Sequence, residues 1–425
     1  MKILILNQAF YPDVVSTAQH ATDLALALTD AGHEVTVICG RRAYDDPSSV
    51  FPGHQTWKGI GIERVHSTAL GKDAKWRRAA DFATFIATCT VRLLFLPQAD
   101  VIVTLTSPPL LSFVAALAVP IKAKHLVFWS MDLNPDEAIA AGWLRENSLV
   151  ARLLSPLLFH SLQKADRIIA LDRFMKQRIQ AKGVDETKIT VIPPWSHDEY
   201  VHFDPAGRDD FRARYGLTGK FVVMYSGNHS PCHPLDTLLQ AADRLATRED
   251  VVFCLVGGGS EYRKVRRGLG MRSASNVLCI PYQPIEKLSA SLSAADLHVV
   301  LMGDPFVGII HPCKVYNILA VGKPFLYIGP RESHVADILA MLPGLGYAHQ
   351  HGDVDRVVDS IVRACSQRSN VATRVIAGQF SSQRLLPELV YAIEEPTGDF
   401  RSRKKPPTEE RLAVQGDSSA AGLLG

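Results

Sequence analysis

The sequence predicts an α/β protein built from two tandem Rossmann-like domains, and three observations carry that prediction. Short apolar runs alternate with helical segments along most of the chain. The alternation pauses at Pro193-Pro194 and restarts at Lys220. The length, 425 residues, suits two domains at roughly 100–200 residues each. A run that is apolar at every position is a strand buried on both faces, as a parallel sheet under two helical layers requires.

Lys2–Asn7 (KILILN) is the first such run. Ala18–Ala31 places Leu24, Leu26 and Leu28 on a helix that stops at Gly32-His33, and Glu34–Cys39 is the second strand. Strand, helix, strand at this spacing is a right-handed βαβ unit. Strands at Val101–Leu105, His125–Trp129, Arg167–Leu171 and Ile189–Ile192 complete a first domain, residues 1–198. Val101–Ile121 carries no charge over 21 residues, long enough to span a bilayer. Pro108, Pro109 and Pro120 divide it, so it reads as a strand, a turn and a short helix, Leu110–Val119. The second domain, 199–376, opens with Lys220–Tyr225 and the helix Leu235–Leu245. It continues through strands at Val251–Val256, Val277–Ile280, Leu297–Leu301 and Pro324–Ile328. A last helix, Gln383–Ile393 within 377–394, is expected to pack back toward the first domain. Residues 395–425 are basic, then rich in Gly, Ser and Ala without periodicity, and read as a disordered tail.

Composition narrows the function. Lys and Arg number 46 against 43 acids, a net charge of +3. That balance argues against a nucleic-acid partner, which usually demands a strong basic excess. Seven cysteines form no C-x-x-C and no tight cluster, so reduced thiols of a cytoplasmic protein are expected rather than disulfides or a zinc site. The apolar run at the N-terminus is too short for a signal-peptide core.

Ligands of doubly wound sheets bind outside the carboxyl ends of the strands, which directs attention to the strand–helix turns. Ser226-Gly227-Asn228-His229 follows the first strand of the second domain, and Gly257-Gly258-Gly259 follows the next. Glycine there permits close approach to an anion, a base or a ribose. The segment Gly303–Gly322 (GDPFVGIIHPCKVYNILAVG) joins a loop containing Gly308 to Pro312 at a helix start, Lys314 and, one turn on, Asn317. A lysine there can serve as a phosphate ligand; the competing reading is a merely solvated side chain. In the first domain Asp132 follows a buried strand, a position for contacting substrate hydroxyls or acting as a base, and His20 begins the first helix beside Ser16-Thr17. Lys72–Arg92 combines Trp76, Phe82, Phe85 and Ile86 with Lys72, Lys75, Arg77, Arg78 and Arg92. A basic, aromatic amphipathic helix of this kind can lie on an anionic membrane; the competing reading is an ordinary solvated helix face.

Taken in order, the pieces have a family likeness. Asn7-Gln8-x-x-Tyr11-Pro12-Asp13, Thr106-Ser107-Pro108-Pro109, Asp132-Leu133-Asn134-Pro135, Val191-Ile192-Pro193-Pro194-Trp195, Tyr225-Ser226-Gly227-Asn228, Val256-Gly257-Gly258-Gly259, Ala295-Asp296-Leu297-His298, and Pro312-x-Lys314 with Ala320-x-Gly322-Lys323-Pro324 all stand in this chain. Their order and spacing over residues 1–390 resemble glycosyltransferase family 4, retaining enzymes of GT-B fold, and most closely the bacterial branch that builds exopolysaccharide, O-antigen or colanic-acid units. The resemblance implies a nucleotide-diphosphate sugar on the second domain, its diphosphate meeting Gly227, Asn228, Lys314 and backbone N–H groups of Gly308–Ile310. It implies the nucleoside near Gly258 and Asn317, and a lipid-linked or glycan acceptor on the first domain beside Ser16 and Thr17. Asp132 and His20 are the catalytic candidates. The resemblance implies a front-face retaining mechanism that needs no metal and in which the departing phosphate can take the acceptor's proton; no cofactor is expected.

Three departures qualify the likeness. Val14-Val15-Ser16-Thr17 stands where many members carry a glycine pair. Ile309 and Asn317 stand where many carry two glutamates eight residues apart. His229 and His233 lie near the usual arginine and lysine positions. The leading expectation is therefore a retaining glycosyltransferase at the inner face of the plasma membrane. A catalytically degenerate nucleotide-sugar-binding protein and a sugar-nucleotide epimerase are the alternatives. An NAD-dependent oxidoreductase is disfavoured, because Asn7–Thr17 holds no glycine for the dinucleotide fingerprint.

Overall fold

The computed structural model describes residues 1–43, 48–71, 75–197, 200–268, 276–341, 344–367 and 378–398. The expected boundary at 198/199, the start at 377, the tail beyond 398 and the basic residue Lys72 lie outside them.

Two sheets organise the molecule. The first contains β1 (Lys2–Leu6), β2 (Glu34–Gly40), β3 (His54–Trp57), β4 (Ile60–Val65), β5 (Val101–Thr104), β6 (His125–Trp129), β7 (Arg167–Ala170) and β8 (Ile189–Val191), in the spatial order β3-β4-β2-β1-β5-β6-β7-β8. The second contains β9 (Phe221–Asn228), β10 (Val251–Gly258), β11 (Val277–Ile280), β12 (Leu297–Leu301), β13 (Phe325–Ile328) and β14 (Gly346–His349), in the order β11-β10-β9-β12-β13-β14. In each sheet the chain winds outward in one direction and then in the other. The reversals fall between β1 and β5 and between β9 and β12. Crevices at such reversals are where ligands of doubly wound folds bind.

The helices are α1 (Ser16–Asp30), α2 (Lys75–Phe95), α3 (Leu111–Lys122), α4 (Asp136–Ala140), α5 (Leu149–Lys164), α6 (Arg173–Ala181), α7 (Pro205–Arg214), α8 (Asp236–Arg244), α9 (Ser260–Gly268), α10 (Leu288–Ser293), α11 (Lys314–Ala320), α12 (His334–Ala340), α13 (Val354–Gln367) and a C-terminal helix, Ser382–Glu394. The C-terminal helix crosses back to lie on α1, burying Leu385, Leu389 and Ile393. His33 Nε2 meets Glu394 Oε1 at 2.8 Å, and Ser196 N donates to Phe380 O at 2.8 Å. One apolar core runs from β1 and α1 through the junction to Ile309, Tyr316 and Phe380.

Three features depart from the sequence reading. The first sheet is not wholly parallel, since β3 pairs antiparallel with β4. Lys58 (φ 48°) and Gly59 (φ 82°) form the tight turn between them, and the twist of such a turn suits a two-residue hairpin. β3 and β14 are edge strands with little burial, so neither forms a continuous apolar run. Helix α3 continues past Val119 and holds Pro120 in its last turn.

Candidate active site

The second-domain side is built on paired glycines. β9 and β10 keep their register to the end, Gly227 opposite Gly257 and Asn228 opposite Gly258. Gly257 has φ +133°, and a Cβ there would lie 2.1 Å from Gly227 O; one on Gly259 (φ +116°) would lie 2.4 Å from His229 O. Both obstacles are backbone, which cannot step aside as a side chain can. Gly257→Ala is therefore expected to destabilise the fold by about 2–4 kcal/mol through backbone strain and overpacking, measured by thermal or urea unfolding. A loss below about 0.5 kcal/mol would show that the strand ends part freely.

Lys314, on the first turn of α11, reaches back to this floor. Its Nζ stands 3.5 Å from the Tyr225 ring centroid, and a Cβ on Gly227 would come within 3.4 Å of it. The ammonium is buried and has no hydrogen-bond partner, and burial pushes its pKa well below the ordinary lysine value. His229 and His233 flank it. Burial first, then the Lys314 charge, lowers them to about 4 and about 3. His229 Nδ1 faces Gly258 O at 3.2 Å and His233 Nδ1 faces Leu301 O at 2.8 Å. A carbonyl neighbour requires the proton on Nδ1, so both rings are neutral with Nε2 lone pairs. The resulting cluster holds an unpaired cation against an aromatic face, a combination that a buried anion completes.

The neighbouring loop is occupied by the domain junction. Gly308 (φ +69°) is buried, and a Cβ there would lie 2.6 Å from the Phe174 backbone in the first domain. Ile309 O accepts from Leu133 N at 3.0 Å. The N–H groups of Ile309 and Ile310 both donate to Phe306 O, at 3.0 and 3.2 Å. The resemblance places N–H donors for a diphosphate at Gly308–Ile310; those of Ile309 and Ile310 are engaged within their own loop. Asn317 also faces the junction, its Oδ1 accepting from His197 N at 3.2 Å. Asn228 is exposed at the end of β9.

On the first-domain side, Asp132 lies half-buried in the loop after β6. Burial, with Glu137 adding like charge, pushes its carboxyl up to about 8. Asn134 Nδ2 holds Glu137 Oε2 at 3.0 Å. Cys313, next to Lys314 in sequence, has its thiol pushed up to about 12 by burial and then by Asp132, with a hydrogen bond to Ser16 opposing. Asp132, Ser16 and Lys314 therefore converge around Cys313. Ser16 is exposed and Thr17 half-buried at the start of α1. His20 is buried, its Nδ1 2.8 Å from Ser16 O and its ring 4.9 Å from both Trp195 and His197. Burial, and then His197, lowers its pKa to about 4. Asp23 fixes that aromatic group, accepting from Trp195 Nε1 at 2.8 Å and lying 3.3 Å from His197 Nδ1.

Lys314, Gly227, Asp132 and Ser16 are thus gathered at one cleft, whereas Gly308, Ile309 and Asn317 serve the domain junction. The sequence reading missed Tyr225 as the platform for Lys314, and Glu137 and Cys313 as neighbours of Asp132. The spacing of Asp132 and Glu137 across a short helix start, and Cys313 adjoining Lys314, were the available signals.

Residues 17–195 match the family described as glycosyl transferase 4-like domain. The chain is 23% identical over 378 residues to the putative colanic acid biosynthesis glycosyl transferase WcaI of Escherichia coli (strain K12), covering 86% of this chain and 92% of that protein. It is 24% identical over 269 residues to the probable glycosyltransferase WbjE of Pseudomonas aeruginosa, covering 62% and 66%. Anabaena HepE, solved in complex with UDP-glucose, superposes with a TM-score of 0.70 at 16% identity, covering 93% of this chain and all of that one.

Proposed function

We propose that this chain, whose residues 17–195 match a glycosyl transferase 4-like domain and whose fold is GT-B, is a glycosyltransferase, and that the following groups carry its reaction. The donor is a nucleotide-diphosphate sugar lying over Gly227 and Gly257–Gly259, with its diphosphate on Lys314. The unpaired buried ammonium of Lys314 carries this reading. As the glycosidic bond breaks, negative charge grows on the leaving diphosphate, and a desolvated cation already in place stabilises it without reorganising. His229 and His233, held neutral, leave Lys314 as the cation of the cluster. HepE, with UDP-glucose bound, supports a nucleotide-sugar donor by likeness. The transfer runs with retention and uses no metal.

Asp132 is placed as the group that orients or deprotonates the acceptor hydroxyl, with Ser16 and Thr17 beside it and His20 supporting Ser16 from behind. A carboxyl that ionises only near pH 8 gives this role a pH signature. Transfer should rise with pH through a midpoint near 8, because only the carboxylate accepts a proton. Asp132→Asn is expected to lower the rate by about 10²–10⁴-fold and to remove that limb. A limb that persists in Asp132→Asn would assign the titration to another group.

The acceptor is a lipid-linked or glycan chain met at the inner face of the membrane, and a place in polysaccharide synthesis follows by likeness to WcaI, whose name gives colanic acid biosynthesis. Among the described residues no helix is long and apolar enough to cross a membrane. The first domain instead exposes one apolar face. Helix α2 presents Trp76, Val91, Leu94 and Phe95, α3 presents Leu117 and Ile121, and α5 presents Leu149 and Leu153. These three helices pack side by side, with Arg77, Arg78, Lys124 and Arg152 exposed among them. Apolar side chains rimmed by basic ones suit an anionic lipid surface. Flotation with phosphatidylglycerol vesicles should carry the protein upward, and Phe95→Ser with Leu149→Ser should reduce the floated fraction at least tenfold. Equal recovery with and without vesicles would remove this face from the proposal.

A further inference from the structure

A second group of titratable side chains lies where the domains meet, apart from the transfer site. Asp172 follows β7 in the first domain, His311 sits three residues before Lys314, and His334 opens α12. All three are buried, and one ligand atom from each lies within 4.8 Å of the others. Asp172 Oδ1 is already used, accepting Met175 N at 2.8 Å to cap α6. Its Oδ2 faces two imidazoles, His311 Nδ1 at 2.7 Å and His334 Nδ1 at 3.6 Å. The two rings lie face to face, centroids 3.7 Å apart and 19° from parallel. One carboxylate oxygen engages one of these rings. His334, 6% exposed, makes no hydrogen bond, and its Nε2 is buried without a partner.

We propose that Asp172, His311 and His334 form a structural site for one divalent transition-metal ion, Zn²⁺ by ligand chemistry, that ties the two domains together. Two imidazole nitrogens and one carboxylate oxygen suit Zn²⁺, whereas Ca²⁺ and Mg²⁺ take oxygen sets. Zn²⁺ holds such atoms at about 2.0–2.2 Å in a tetrahedron, which places them about 3.3 Å from one another. The 3.6 Å contact is already near that spacing, the 2.7 Å hydrogen bond opens by about half an ångström, and the stacked rings turn out of parallel so that both Nδ1 lone pairs meet the ion. His311 needs no lost proton. Its one ring proton moves from Nδ1, which becomes the ligand, to Nε2, where Tyr316 Oη stands 2.7 Å away to accept it. An outer partner of that kind fixes a ligating histidine. Water completes the fourth position.

This inference goes beyond the transfer reading, since the ion touches none of the reacting groups. The test uses the full chain, stripped with chelator and reloaded with Zn²⁺ or Co²⁺. One equivalent of metal per chain should survive gel filtration, and Zn²⁺ should raise the melting temperature. Co²⁺ should show the intense visible bands of a tetrahedral nitrogen–oxygen site without a thiolate charge-transfer band. His334→Gln should bind on the order of 100-fold more weakly and Tyr316→Phe about tenfold more weakly. Substoichiometric binding by the folded wild-type chain, a thiolate band, or equal binding by His334→Gln would overturn the site. If His334→Gln does not fold, the wild-type Co²⁺ spectrum decides alone, because six-coordinate or absent bands contradict the proposed ligands.

Discussion

Replacing Lys314 with Met lowers kcat/KM for sugar transfer by on the order of 10²–10³-fold, the usual cost of deleting one transition-state charge partner. At the same time it stabilises the donor-free protein. Both effects have one cause, an ammonium held out of water with an aromatic ring beneath it and no acceptor near it. A buried polar group without a partner costs about 1–3 kcal/mol, and methionine fills the same volume without that cost. The sign of the pH dependence follows from the direction of the shift. The folded-state pKa lies below the ordinary 10.5, so the unfolded chain binds the extra proton and the wild type gains stability as pH rises toward that value. The advantage of Lys314→Met should therefore be full below the depressed folded-state pKa and shrink as pH rises from there toward 10.5. Paired melts of the two proteins across that range check the trend. A methionine variant less stable than wild type at pH 7 would mean that the ammonium has a partner after all.

Gly308→Val should abolish transfer while leaving the donor half intact. Gly308 sits at φ +69° with its Cα hydrogen against the Phe174 backbone, 2.6 Å from where a Cβ would stand. A β-branched residue is a genuine outlier at positive φ, and its side chain would meet the other domain's main chain. The relief available is separation of the domains, which would also break the Leu133–Ile309 and Arg178–Val307 hydrogen bonds. Lys314, Tyr225 and His229 all belong to the second domain, so donor affinity should stay within about threefold of wild type. Transfer should fall at least 100-fold, because Asp132 leaves the donor. Small-angle scattering would register a larger radius of gyration. Wild-type activity with an unchanged radius would show that the junction tolerates the side chain.

These effects indicate how far the sequence could be read. Strands buried on both faces announce themselves as unbroken apolar runs, which is why β6 and β12 lie where the pattern places them. β3 (HQTW) and β14 (GYAH) are edges, half wet, and their composition carries no such mark. Lys314 was legible because Pro312-x-Lys314 is a local motif, and Asp132 because it follows a buried strand. Gly308 and Asn317 were legible as special positions but not in their role, since what they touch, Phe174 and His197, lies more than a hundred residues away. Long-range juxtapositions such as Asp172 with His311 and His334 have no local signature at all.

The central claim is that Lys314 receives a nucleotide diphosphate, and its most direct test is ligand-induced stabilisation. The wild type and Lys314→Met would be melted with UDP-, GDP- and ADP-sugars, with NAD as control. A ligand at a hundredfold excess over its dissociation constant stabilises by about 2.7 kcal/mol. The account predicts a shift of that size for one nucleotide family in the wild type, and none for Lys314→Met or for NAD. An equal shift in both proteins would place the diphosphate elsewhere. No shift with any sugar nucleotide would contradict the donor site itself.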